Sequence, residues 1–272
     1  MDATLTVVEP HAAAGSGLRE LWGSRELLYF LVWRDIKVRY KQTLVGVAWA
    51  VLQPLLAMLI LTAFFGGPAR LPSEGIPYPL FAYAGLLAWT FFANALFSSS
   101  NSIAGAGPLI TKVYFPRLLI PIAAVGARLL DFAIAFLLLA GLMVHYRAAF
   151  TWRLLVLPLL VIITMLLALA CGLCLSALNV KYRDVNFALP HVLQFLMFAT
   201  PVFYSTSMLP ERLRWAAGTN PLAIVIAGFR AALFGRPFDV PALSMAALFT
   251  LLLLVFATMF FRTMEEQFAD LA

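Results

Sequence analysis

The sequence predicts an all-α integral membrane protein with six transmembrane helices, an N-terminal amphipathic interface helix before them, and a re-entrant helical hairpin between helices five and six. Three observations carry that prediction. Hydrophobic residues make up 63% of the 272 positions and charged residues only 12%, and the mean hydropathy of +0.93 lies far outside the range of soluble domains. The apolar residues gather into six runs, each close to the roughly 20 residues that cross a ~30 Å hydrocarbon core as a helix. The net charge of +6 is concentrated at the ends of those runs, where anionic headgroups and the topology rule account for it. No nucleic-acid partner is implied.

Residues 1–20 show no apolar core behind a basic start, so they read as a flexible cytoplasmic N-terminus without a signal peptide. Residues 21–43 form the predicted interface helix. Tyr29, Trp33, Ile36, Tyr40 and Leu44 recur at helical spacing as one aromatic-rich stripe, with Arg34, Asp35, Lys37, Arg39 and Lys41 around the rest of the circumference. Such a helix lies along the membrane surface before the chain turns inward.

The transmembrane domain is expected over 44–262, with spans at 44–66, 78–98, 118–144, 154–178, 187–204 and 240–261, followed by a cytoplasmic tail over 263–272. Gln53 and Pro54 interrupt the first span. A proline removes a backbone hydrogen bond and a mid-membrane amide needs a partner, so the pair reads either as a packing kink or as a polar group facing a conduit. Cys171 and Cys174 form a CxxC inside the fourth span, beside Ala168, Gly172 and Ser176 at small-xxx-small spacing. They are expected to be packing residues rather than a redox pair.

The segment 208–235 is long and apolar but contains Asn220, Pro221 and Arg230. Two short helices that dip into one leaflet and return fit it, provided that protein covers the broken backbone. Counting Lys and Arg with the N-terminus inside puts eleven on the cytoplasmic side and seven outside, four of the seven between the fifth and sixth spans. Both termini are therefore expected in the cytoplasm.

Arg128 and Asp131 are the charges in the middle of a span, three residues apart on one helical face. An unpaired charge there costs about 2.5–3.5 kcal/mol, so each is expected to be partnered, with the other or with a neighbouring helix. The structural reading is an ion pair that fixes packing; the functional one is a polar patch beside a conduit. Two short loops offer docking surfaces for a peripheral cytoplasmic protein. One holds Leu109, Lys112, Tyr114 and Phe115, closed by Pro116 and Arg117; the other holds Lys181, Tyr182, Arg183 and Asp184. No Gly-x-x-x-x-Gly-Lys-Ser/Thr run occurs, so ATP is expected to act elsewhere. His11, His145 and His191 lie far apart, with no metal-ligand spacing around them.

The run RDIKVRYKQTLVGVAW, Arg34 to Trp49, resembles the signature that opens the membrane subunits of ABC-2 type polysaccharide exporters, the permeases for O-antigen, teichoic acid and capsule. The segments LITKVYFPRLLIPI, LLDFAIAF, NVKYRDV, PVFY and TNPLA occur in the same order as in that family, and the likeness extends from about Leu21 to Phe261. It implies a non-enzymatic homodimer of six-span subunits in the cytoplasmic (inner) membrane, exporting a polyprenyl-pyrophosphate-linked polysaccharide. Two copies of a separate cytoplasmic ABC ATPase, which holds ATP and Mg, would drive it, and this chain would carry no cofactor. The resemblance makes Leu109 to Arg117 the main coupling element and Lys181 to Asp184 a second contact. It makes Arg34, Lys37, Arg39 and Lys41 a basic collar for the lipid pyrophosphate, with Trp49, Gln53, Phe195 and Phe198 along the conduit. A permease for a small lipid or drug, and a membrane-embedded glycan transferase, are the alternative readings.

Overall fold

The structure is a computed structural model that describes residues 22–41, 48–66, 71–110, 115–182 and 184–265. Every regular element among them is helical. Nine helices of eight or more residues follow in order: α1 (Arg25–Tyr40), α2 (Ala48–Phe65), α3 (Tyr78–Ser102), α4 (Leu119–His145), α5 (Leu157–Lys181), α6 (Asp184–Ala199), α7 (Glu211–Thr219), α8 (Pro221–Leu233) and α9 (Val240–Glu265). Among the described residues five segments are long and apolar enough to cross a membrane, α2, α3, α4, α9, and α5 with the 3₁₀ turn before it, Trp152–Lys181, and the bent pair α7–α8 makes a sixth if it is counted as one span.

The segment expected as a fifth span at 187–204 differs from that expectation. Its helix α6 starts at Asp184 and stops at Ala199, 16 residues, or about 24 Å at 1.5 Å per residue. Pro201 is the physical reason. The residue before a proline is driven out of the α region, so the chain turns through Thr200–Tyr204 instead of continuing.

Helix α3 is the centre of the bundle, lying against α2, α4, α5 and α8. Its sequence explains why. Ala82, Ala84, Gly85, Ala88, Ala95, Ser99 and Ser100 are all buried, and small side chains let membrane helices approach closely where hydrophobicity alone gives no drive to associate. Ala168, Gly172 and Ser176 of α5 are buried too, and a Cβ added at Gly172 would overlap the Ser99 side chain of α3. Gly172→Val is therefore expected to lower stability by about 1–3 kcal/mol through overpacking. Thermal unfolding of the detergent-solubilised protein checks this. Gly141→Val, at a position with open space around it, is the matched control, and equal melting of the two variants would refute the close α3–α5 contact. Cys171 and Cys174 lie in the same helix as free, half-buried thiols.

Helix α1 packs along α4, largely through its aliphatic side, with Ile36 and Tyr40 of the aromatic stripe partly covered as well. Leu31 is buried and Leu27, Leu28, Val32, Asp35, Arg39 and Tyr40 are half-buried, whereas Tyr29 is 64% and Trp33 47% exposed. Lipid is as apolar as a protein core, so the aromatic side can face outward while the smaller aliphatic side meets α4. At Gly126 the approach is close enough for Val32 Cγ2 to lie 3.3 Å from where a Cβ would be.

Helices α7 and α8 meet at 86° around Asn220. The Asn220 side chain accepts the Leu222 N–H and donates to Thr200 Oγ1 at 3.2 Å, so the break is capped rather than left open. Helix α8 is buried along nearly its whole length. The segments before and after the pair meet on one carboxylate: Glu74 Oε1 accepts Ser205 Oγ at 2.8 Å, and Oε2 accepts Arg236 Nη1 at 2.6 Å. The chain therefore leaves the pair at the end of the bundle where it enters. Arg153 donates to the Gly235 carbonyl at that same end. Gly235 adopts φ +67°, a left-handed turn that glycine enters without strain. At the other end Asn179 of α5 donates to Ser100 O and Asn101 Oδ1, at 3.1 and 3.0 Å, and Arg117 donates to the Glu265 carbonyl at 2.5 Å.

Candidate functional site

The charges that the sequence placed in two separate groups come together around Asp131. Its Oδ2 accepts Arg128 Nη1 at 3.1 Å, one helical turn away, and Arg39 Nη1 at 2.8 Å from the C-terminal end of α1; its Oδ1 accepts the Tyr40 hydroxyl. Arg128 also donates through Nε to Ser98 Oγ of α3 at 2.7 Å. Burial and the hydrogen bond to Asp131 push the Tyr40 phenol up to about 12, so it stays a donor at any physiological pH. One carboxylate thus serves two guanidinium groups and a phenol, and the cluster retains one positive charge.

This cluster forms one wall of a cavity of about 440 Å³ between α1, α2, α3 and α4. The opposite wall carries Trp49, Gln53 and Pro54 of α2, and Thr90 and Asn94 of α3 contribute further polar groups. Pro54 lies within α2 and has no N–H to give the Ala50 carbonyl, which belongs to another residue of the same lining. A second cavity of about 310 Å³ adjoins the first, sharing Gln53, Pro54, Thr90 and Asn94, and continues between α2, α3 and α6 past Trp89, Leu61 and Phe198.

Of the expected basic collar, only Arg39 enters the cavity. Arg34 pairs with Asp35 at 2.9 Å, Lys37 lies 5.2 Å over the Trp33 ring, and Lys41 is exposed. Of the expected conduit residues, Trp49 and Gln53 line the first cavity, Gln53 and Phe198 the second, and Phe195 neither. Among the coupling residues, Leu109 is half-buried, Phe115 buried and Pro116 half-buried. Arg117 reaches the last turn of α9, where Glu265 Oε1 also lies 3.9 Å from it. Lys181 sits 5.3 Å over the Tyr182 ring, and Asp184 is exposed at the start of α6. Lys112, Tyr114 and Arg183 lie outside the described residues.

Sequence reasoning missed Tyr40, Thr90, Asn94 and Ser98 as members of this site. Each is a polar residue in or beside an apolar run, which was the available signal, but a hydroxyl or amide in a span more often serves helix packing. Among the described residues no group of three His, Cys, Asp or Glu side chains is placed to hold a metal ion. With its carboxylate saturated, the site offers donors and positive charge rather than a base or nucleophile.

The model of the ABC-2 type transporter family matches residues 26–234. The chain belongs to the ABC-2 type transporter family. It is 31% identical to the O-antigen export system permease protein RfbA of Myxococcus xanthus over 258 residues, 93% of this chain and 98% of that protein. Identity to an O-antigen export system permease protein RfbA of Klebsiella pneumoniae is 28% over 252 residues, 90% and 95% of the two chains. Identity to the polysialic acid transport protein KpsM of Escherichia coli is 28% over 239 residues, 86% and 91%. In this ABC-2 type transporter subunit the cavity lies wholly within the matched residues.

Proposed function

We propose that this chain is the channel-forming permease subunit that exports an O-antigen-like polysaccharide, linked to polyprenyl pyrophosphate, across the cytoplasmic membrane. The observation that carries this reading is the near full-length similarity to export permeases, 98% of the Myxococcus xanthus protein and 95% of one from Klebsiella pneumoniae. The chemistry of the cavity agrees with it, since apolar walls beside an excess of guanidinium suit an amphiphile with an anionic head. Two copies of the subunit form the conduit between their α2 and α6 helices, both of which keep large exposed apolar faces in the single chain, including Trp49, Phe64, Phe187 and Phe195. Two copies of a separate ATPase bind ATP and Mg and push on the 109–117 and 181–184 segments. Both termini lie in the cytoplasm, with α7 and α8 dipping into the outer leaflet.

Deleting the chain in its host tests the reading. The expected result is loss of surface polymer with accumulation of the lipid-linked form inside the cell. Unchanged surface polymer would point to a small-lipid or drug permease instead, and loss without accumulation to a transferase. Complementation with Tyr114→Ala is expected to restore membrane insertion but at most about a tenth of export, because the partner's power stroke would no longer reach the helices. Wild-type export by that variant would remove 109–117 from the coupling path.

A further inference from the structure

We propose that Asn179 is a positioning residue of the transport cycle: it bridges the C-terminal ends of α3 and α5 and so holds the 109–117 and 181–184 segments at one relative height, as a single lever. The proposal rests on the reading of those two segments as the ATPase contacts. Helices α3 and α5 end side by side, and each runs directly into one of them. From Asn101, in the last turn of α3, the chain passes through buried Ile103 and the 3₁₀ turn Ala104–Ala106 into the short helix Gly107–Ile110. From Asn179, in the last turn of α5, Tyr182 is only one turn further on, and its N–H still bonds the Leu178 carbonyl. Whatever fixes α3 against α5 therefore fixes one contact against the other.

The rest of the seam gives little to set that register. Where the two helices approach most closely, Ser99 faces Gly172, and small side chains allow close approach without a large knob to stop one helix sliding along the other. Other hydroxyls do not cross it: Ser176 donates to the Leu173 carbonyl of its own helix at 2.9 Å, and Ser99 Oγ bonds no described residue. Among the described residues, the side-chain hydrogen bonds between α3 and α5 are those of Asn179, which is 4% exposed. Both of its amide protons are engaged, one on the Ser100 carbonyl and one on Asn101 Oδ1, and Asn101 is oriented in turn by its own Nδ2 on the Phe97 carbonyl at 3.0 Å. The Ser100 carbonyl is among the last four of α3, which a helix cannot pair with its own N–H groups. A buried amide satisfied in one register alone is how a single asparagine fixes the alignment of two helices. A slip of one residue, about 1.5 Å along the axis, would take both protons off their acceptors. A push on either segment then moves both helices together instead of being lost in sliding.

The test uses the whole permease–ATPase complex in inside-out proteoliposomes, with lipid-linked polymer extracted from a host lacking the chain as cargo, and reads polymer transported per ATP hydrolysed. Asn179→Leu keeps the branched shape and removes both bonds. It is expected to lower that ratio about fivefold or more while ATP hydrolysis continues, the scale of a lost coupling interaction. Thr164→Val is the matched control: Thr164 is also buried in α5, but its hydroxyl bonds its own helix, on the Leu160 carbonyl at 2.8 Å, so the ratio is expected to stay within about twofold of wild type. Asn101→Ala, at a half-buried position, is expected to give a smaller loss because Asn179 keeps the Ser100 carbonyl. The Asn101→Ala/Asn179→Leu double variant is expected to lose no more than Asn179→Leu alone. If Asn179→Leu fails to assemble, Asn101→Ala carries the test. A wild-type ratio in the asparagine variants overturns the brace, and so does an equal fall in transport and hydrolysis, which loss of folded complex alone would produce. Tyr114→Ala in the same assay separates the failures: a low ratio there beside wild-type asparagine variants sinks the brace and leaves the contact reading standing. No polymer transport by the wild-type complex would overturn the export reading and the brace with it.

Discussion

Asp131→Ala is expected to destabilise the subunit by about 3 kcal/mol and to release α1 from α4. The carboxylate is the single anion between two guanidiniums, and all three side chains are mostly withdrawn from solvent, at 16% exposure for Asp131, 25% for Arg39 and 20% for Arg128. Truncating one partner of a buried ion pair costs about 3–5 kcal/mol, because the charge left behind stays desolvated. Here two cations are left facing each other, and the partial exposure brings the value to the lower end of that range. The effect concentrates on α1. Its remaining contacts with α4 are aliphatic, through Leu28, Leu31 and Val32, and in a bilayer lipid replaces such contacts at little cost.

Thermal unfolding of the purified complex and trypsin cleavage after Arg34 or Lys37 measure the two consequences. The Arg39→Gln/Asp131→Asn double variant is expected to recover most of the loss, since it leaves one cation and restores neutral hydrogen-bonding partners. If Asp131→Asn and Arg39→Gln instead add independently in that double variant, the three groups do not act as a unit and the charge argument fails. The same logic predicts that Arg39→Gln alone leaves the fold intact. Asp131 then keeps Arg128 on its own helix and Tyr40 from α1.

Hydropathy made the number and order of the apolar helices legible, because a run of sufficient length needs no partner to declare itself. The partners were a different matter. Arg128 and Asp131 could be paired from their spacing, but nothing local connects either to Arg39, 92 positions from Asp131. The face of α1 that meets α4 was not legible for a reason peculiar to membranes: with lipid on one side and protein on the other, both faces are apolar and periodicity cannot rank them. Tyr29 and Trp33 drew attention through size, whereas Leu31 and Val32 make the contact. The end of α6 was readable from Pro201 in hindsight, yet Phe203 and Tyr204 prolonged the apolar run past the turn. Arg230 was counted as an outer-side charge because it lies in the segment between the last two spans; it is in fact 6% exposed.

Arg230→Leu is the second large expected loss, also about 3 kcal/mol, and it falls at the opposite end of the bundle. The guanidinium donates Nη1 to the Pro201 carbonyl at 3.1 Å and Nη2 to the Val202 carbonyl, and lies flat on Phe81, 3.6 Å from the ring centre. These carbonyls belong to the turn that ends α6, where the helix no longer supplies donors. Gly85 of α3 faces the same point, and a Cβ there would strike both the Val202 carbonyl and the guanidinium, so the site is closed on every side and no solvent replaces the lost bonds. Two buried carbonyls left unsatisfied cost about 1–3 kcal/mol each. Relief from burying the guanidinium, whose Nε has no partner, offsets part of that sum. Lysine keeps the charge but not the fork, so Arg230→Lys is expected to recover less than half. Hydrogen exchange resolved by segment is the informative measurement, because the loss should appear as faster exchange over 199–208 and not in α5 or α9. A variant that melts and exchanges like wild type would mean that the Tyr78 hydroxyl on the Phe203 carbonyl, at 3.1 Å, and Asn220 on Thr200 are enough to hold the turn. The position of Phe198 in the second cavity would then rest on those two bonds rather than on the arginine.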